Sequence, residues 1–336
     1  GSVAIAPGAD IGVAMSGDAE GSVKLTHDGL TITAREADGG VAYHYAAAKL
    51  DVVYDTKYPG MSFDGTEAPK VAASGNFGFT NLAGTYSDVP GTNRTFGLDI
   101  KADTLSYSTT SDDPGMQMKQ TSTSETAGVE MSAQFALPST IALASIASPA
   151  DFTTALNEGL SFSLTSKQGE SKGTMKQESP AMPVDLTMDA GGGEGSVLFN
   201  KDTLSIKSQA VGLNIEMSPG MAPVPVKVAV GPMEFDMTSP VIATEAAGDY
   251  SFVVKLADFS INEEAWALFD PQAALPRDAA QIAIDISGKT KLDLPGLVMA
   301  EETGAQPPIP APESLNITEL GLKVAGAALA GTGAFT

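Results

Sequence analysis

The chain has 336 residues, enough for one large or two ordinary domains, and 43% of them are hydrophobic, which excludes a disordered polymer. Its 41 acidic and 19 basic side chains leave a net charge of −22, a field that repels phosphate backbones and argues against a nucleic-acid partner. There is no cysteine, so disulfides, thiolate metal sites and thiol catalysis are excluded, and the composition is compatible with an extracytoplasmic bacterial protein.

Gly1-Ser2 reads as a cloning remnant, with a secretory signal removed ahead of it. Glu20-Gly21-Ser22-Val23, running on to Asp28, Leu30 and Ile32, opens the first strands. His27-Asp28-Gly29, Asp38-Gly39-Gly40, Asp64-Gly65 and Asp113-Pro114-Gly115 supply turn signals. Val129, Met131, Ala133 and Phe135 alternate with polar neighbours, as do Leu160, Phe162 and Leu164, giving one apolar and one wet strand face. Between these two runs a short helix is predicted near 149–158, with Ser148 as N-cap, Pro149 at its first position and Gly159 as its stop. A further turn is expected at Gly191-Gly192-Gly193.

Three apolar rows follow on alternating strands: Val211, Leu213, Ile215 and Met217; then Val224 to Val230; then Met233, Phe235 and Met237. A second helix is predicted near 262–269, capped by Asn262, with Glu263 and Glu264 at its positive end and Asp270-Pro271 ending it. Trp266 is the structural anchor of that helix, expected with Phe269 to face the sheet. Ile282, Ile284 and Ile286 make another strand. Residues 303–312 form a proline-rich loop or linker, and Leu322 to Phe335 read as an unfinished strand, with the natural protein continuing beyond it.

The chain also echoes itself. Glu194-Gly195-Ser196-Val197, followed by Asp202, Leu204 and Ile206, keeps the spacing of the Glu20 segment. Lys101-Ala102-Asp103 has a counterpart in Leu256-Ala257-Asp258. The expected fold is therefore mainly β: a long antiparallel meander made of two similar curved-sheet units, 1–147 and 148–336, each with a short helix. Pro149 and Trp266 would mark equivalent helices in this internal duplication.

Reactive chemistry is sparse. The two histidines, His27 and His44, stand outside any metal spacing, and no zinc-protease, nucleophile-elbow, Walker or dinucleotide motif occurs. No catalytic residue, metal site or cofactor is assigned. The Asp/Gly turns read as ordinary turn chemistry, and the 13 methionines as adaptable core filler. No run approaches the roughly 18 apolar residues of a spanning helix.

The stretch Ala265-Trp266-Ala267-Leu268-Phe269-Asp270-Pro271, then Leu275-Pro276-Arg277-Asp278, resembles an uncharacterised alphaproteobacterial family of exported proteins. That resemblance implies a signal peptide, a periplasmic or envelope location and a β-rich repeat fold, and it supplies no activity. The expected function is non-enzymatic. An acidic envelope protein would bind or shield a lipid or other apolar ligand on a curved sheet lined by Val211, Leu213, Ile215, Met217, Met233, Phe235 and Met237. The alternative is a structural module whose strand edges pair with an envelope partner. More remote is a carboxylate-based glycan hydrolase, which needs only two acids.

Overall fold

The computed structural model describes residues 2–8, 10–17, 19–60, 69–142, 146, 148–180, 182–219, 224–297 and 312–336. Asp64-Gly65, Met221 and the proline-rich residues 303–311 lie outside them. The first ten strands are β1 (Ser2–Ile5), β2 (Asp10–Met15), β3 (Glu20–Asp28), β4 (Thr31–Ala37), β5 (Gly40–Tyr58), β6 (Val71–Val89), β7 (Asn93–Asp113), β8 (Met118–Pro138), β9 (Ser161–Gln168) and β10 (Ser171–Glu178). The second ten are β11 (Val184–Ala190), β12 (Gly193–Phe199), β13 (Thr203–Ala210), β14 (Leu213–Pro219), β15 (Val226–Val230), β16 (Met233–Pro240), β17 (Gly248–Ile261), β18 (Ala280–Thr290), β19 (Pro312–Val324) and β20 (Ala327–Phe335). Helix α1 (Pro149–Asn157) follows β8, the one-turn α2 (Glu263–Trp266) follows β17, and another turn of helix, α3, covers 294–297.

All twenty strands belong to one antiparallel sheet. Six consecutive pairs, such as β9 with β10 and β11 with β12, are collinear halves of a single long strand, because both halves pair with the same neighbour. The sheet is therefore an up-and-down meander of fourteen long strands, from β1/β2 at one edge to β20 at the other. It runs without interruption past residue 147, since β8 pairs with both β9 and β10. This arrangement does not confirm the internal duplication. Glu20 begins a strand beside β5, whereas Glu194 lies in mid-sheet between β9 and β13.

A crease divides the sheet into two halves. In β8 the half-buried positions are Met118, Gln120, Ser122, Ser124 and Thr126, after which the parity steps by three to Val129, Met131, Ala133 and Phe135. Gly128 supplies the extra residue in the left-handed region, at φ 59°, as Asn81 does in β6 at 48° and Asp258 in β17 at 53°. In β5 the step runs from Ala47 to Leu50, and in β7 from Ala102 to Leu105. A one-residue slip flips every later side chain to the other face. The bulges stand in neighbouring strands, so each corrects its neighbour and the apolar face stays on one side.

Two predicted turns prove to be this crease and not chain reversals. Gly191-Gly192 joins the collinear β11 and β12, where the Gly191 N–H donates to the Gly212 carbonyl at 2.8 Å and the Val211 N–H to the Gly192 carbonyl at 2.9 Å. At His27-Asp28-Gly29, the His27 ring accepts from the Leu30 N–H at 3.3 Å and reaches the Gly8 carbonyl at 2.9 Å, tying the first two long strands together. Asp38-Gly39 is a true hairpin turn. Both residues are left-handed, as a type I′ turn requires.

Helix α1 forms as its sequence dictates. The Ser148 hydroxyl accepts from the Asp151 N–H at 3.2 Å, proline takes the first position, and Gly159 closes the helix at φ 108°. Its buried Ala155 and Leu156 join Leu160 and Val241 over Phe135, Phe199 and Leu204, with Phe152 stacked on Phe199 at 5.9 Å. Full burial of a leucine such as Leu156 contributes about 1.5–3 kcal/mol.

Around α2 two expectations are corrected. Asn262 makes no side-chain cap; it accepts from the Lys227 N–H and donates to the Pro225 carbonyl, both at 2.9 Å, and so stitches the end of β17 to β15. Phe269 is 61% exposed rather than packed on the sheet, and its ring lies 4.8 Å from that of Trp266.

The molecule exposes 19449 Å². A compact protein of this mass exposes about 12,900 Å². Among the described residues most of the sheet is thus a single layer, with α1 over one end and the short α2 beside β15.

Candidate functional site: one apolar face and a troughed polar face

Cross-strand register aligns one apolar residue from almost every strand into a continuous row. It begins with Val3, Ala34, Tyr43, Tyr86, Leu98, Ala133 and Leu164. It continues through Val197, Ile206, Met237, Phe252, Ile286 and Ile317 to Gly333. With strands about 4.8 Å apart, the row runs roughly 60 Å. On one side of it lies the row of Phe96, Phe135, Phe162 and Phe199, which α1 covers in part.

Of the residues expected to line a ligand, Met233, Phe235 and Met237 lie on this face in β16, and Leu213, Ile215 and Met217 lie on the same face beyond the crease in β14. Val211 does not belong to the row. It sits in the crease between β13 and β14, 68% exposed, because the extra residue there breaks the alternation.

Three tyrosines cover glycines on this face. The Tyr45 hydroxyl donates to the Asp99 carbonyl at 2.9 Å across Gly84, Tyr54 bonds the Thr109 hydroxyl at 2.8 Å across Gly75, and Tyr250 donates to the Ser314 carbonyl at 3.3 Å across Gly288. Each ring fills the space that its neighbour's missing Cβ leaves. Burial, and then the nearby Asp99 charge, raises the Tyr45 phenol above its ordinary pKa.

The opposite face carries the troughs. The larger, about 900 Å³, runs between two rows of polar side chains. One wall is His44, Thr85, Asp99, Ser132, Thr165 and Ser196, ending at Lys207. The other is an alternating ladder of Lys101, Glu130, Lys167 and Glu194. A second trough of about 670 Å³ follows the crease and is lined by Val211, Glu234 and Lys255, among others.

The charges in the ladder answer one another. Lys101 meets Glu130 at 2.7 Å and Lys207 meets Asp236 at 2.7 Å, while Ser132 donates to Asp99 at 2.7 Å. The Lys101 hydrogen bond and then its charge hold the Glu130 carboxyl below the usual range. Pairs this exposed are screened by water and add little stability.

The Asp270–Arg277 pair lies outside both troughs. Arg277 donates to Asp270 at 2.6 Å and to Glu263 at 3.1 Å, and its guanidinium lies 4.9 Å from the Trp266 ring centre. Asp270, only 8% exposed, also accepts the N–H groups of Ala274 and Leu275. The cluster fixes the link from α2 to β18.

Among the described residues no three His, Asp or Glu side chains gather as a metal site, and no helix is long and apolar enough to cross a membrane. The geometry defines an open, single-layer antiparallel sheet with one apolar and one charged face. In comparisons with known proteins, no family model, curated sequence or solved structure matches the chain.

Proposed function

We propose that this chain is a non-enzymatic protein of the bacterial envelope, working in the periplasm, whose apolar sheet face binds or shields a lipid or another apolar ligand. The observation that carries this reading is the unbroken apolar row, extending far beyond the end that α1 covers. Apolar surface on that scale is seldom left in water by a monomeric protein. The periplasmic location rests on the lack of cysteine and on the resemblance to an exported family. The carboxylates displaced from their ordinary range, such as Glu130 and Asp270, are displaced downward, whereas a glycan hydrolase needs an acid kept protonated.

The test is native mass spectrometry and organic extraction of protein purified from its own host, beside the variant Leu164→Glu/Ile206→Glu. An extractable apolar ligand on the unaltered protein, reduced at least tenfold in the variant, is the expected result. Protein that carries none, and takes up none from mixed phospholipid vesicles, would sink the reading.

A further inference from the structure

Residues 267–276, the link that leaves α2 for β18, carry one charged side chain, Asp270, in a protein of net charge −22. That charge is turned inward. Asp270 is buried and paired with Arg277, so every exposed side chain of the link is uncharged. Leu268, Phe269 and Leu275 stand 55%, 61% and 46% exposed on it. Ala273 sits in the left-handed region at φ 51°, a conformation that strains an alanine. Asp270 holds it there: its carbonyl accepts the Ala273 N–H at 3.1 Å, and its carboxylate accepts those of Ala274 at 3.1 Å and Leu275 at 2.9 Å.

The backbone is likewise satisfied from within. The N–H groups of Ala267, Leu268, Phe269 and Asp270 donate to the carbonyls of Glu263, Ala265 and Trp266, and Pro271 and Pro276 have no N–H. Donors bonded in this way can leave water at little cost. From these features we infer that the 267–276 link is a wedge that docks the protein on a zwitterionic lipid bilayer, with Leu268, Phe269 and Leu275 entering the headgroup layer. A bilayer fits better than a protein partner, because the link offers no exposed charge and few free donors to be recognised by. The net charge of −22 repels an anionic surface and leaves an uncharged one as the match. The link also adjoins the apolar face, since Leu256 of β17 and Ile282 of β18 pair on that face where the two strands meet it. The inference rests on the lipid reading, to which it adds the point of contact with the membrane.

Trp266 is the chain's one tryptophan and lies 4.8 Å from the Phe269 ring, so it reports docking directly. With phosphatidylcholine vesicles its emission should shift to the blue and be quenched by brominated acyl chains, and the protein should float with the vesicles. Doping them with phosphatidylglycerol should weaken binding. Leu268→Ser/Leu275→Ser leaves the Trp266–Phe269 pair in place; it should lose roughly tenfold or more of its vesicle partitioning and keep the melting temperature of the unaltered protein. Unmoved Trp266 emission, equal partitioning of the variant, or binding that anionic lipid strengthens would each overturn the inference. The two readings fail separately. Protein that carries an extractable ligand but never docks sinks this one, and protein that docks but neither carries nor takes up a ligand sinks the lipid reading alone.

Discussion

At the scale of single residues, the sheet depends on large side chains lying across small ones. Gly84 shows how tightly. A Cβ there would collide with the Asp99 carbonyl oxygen and with the Tyr45 phenol, so the ring and its hydrogen bond to Asp99 must give way. Gly84→Ala should therefore cost about 1–3 kcal/mol, in the range of overpacking. At Gly12 the nearest atom to a new Cβ is the Val23 carbonyl oxygen, 3.9 Å away, and Gly12→Ala should be close to neutral. Urea midpoints of the two variants decide the matter, and equal midpoints would show that the tyrosine covers nothing of value. Trp266 meets the Phe269 ring and the Arg277 guanidinium in the link that follows α2.

At the scale of elements, the crease is the device that lets strands of up to 21 residues stay in one sheet. It uses residues that tolerate the left-handed region. Asn81 sits there at φ 48° and its amide donates to Asp103 across the bulge at 2.7 Å. Asn81→Gly should keep the fold within about 0.5 kcal/mol, whereas Asn81→Val, which is β-branched, should lose about 1–3 kcal/mol. Loss of hydrogen-exchange protection in β6 and β7 for the valine variant alone is the expected signature; equal behaviour of both would remove strain from the account.

The strands themselves were legible, because period-two alternation in β14, β16 and β18 follows directly from the pleat. The crease was not, since it depends on extra residues aligning between strands far apart in sequence. For the same reason Gly191-Gly192-Gly193 read as a turn and Val211 as part of an apolar face. Asn262 read as a cap because its sequence neighbours are acidic, but the strand beside it, β15, claims its amide. The apolar half of the candidate site could thus be read from sequence. The ladder of Lys101, Glu130, Lys167 and Glu194 could not, because its members meet only through register.

At the scale of the whole molecule, an open sheet trades a core for surface. The largest fully buried side chains among the described residues are Leu156, Val241 and Pro138, all at the α1 end. Stability elsewhere must come from backbone ladders, cross-strand pairs and whatever covers the apolar face. The shape follows from this. Fourteen strands at about 4.8 Å spacing make a sheet some 60 Å across, while a compact chain of this length has a radius of gyration of about 20 Å. Small-angle scattering on the protein stripped of co-purifying ligand, at a concentration where it is monomeric, should give a radius clearly above that value. It should also give a pair-distance distribution with a long tail beyond about 60 Å. A radius near 20 Å with a symmetric distribution would mean that the sheet rolls up and buries its own apolar row. That result would leave no exposed face for a lipid to cover, so the measurement bears on the function as well as on the fold.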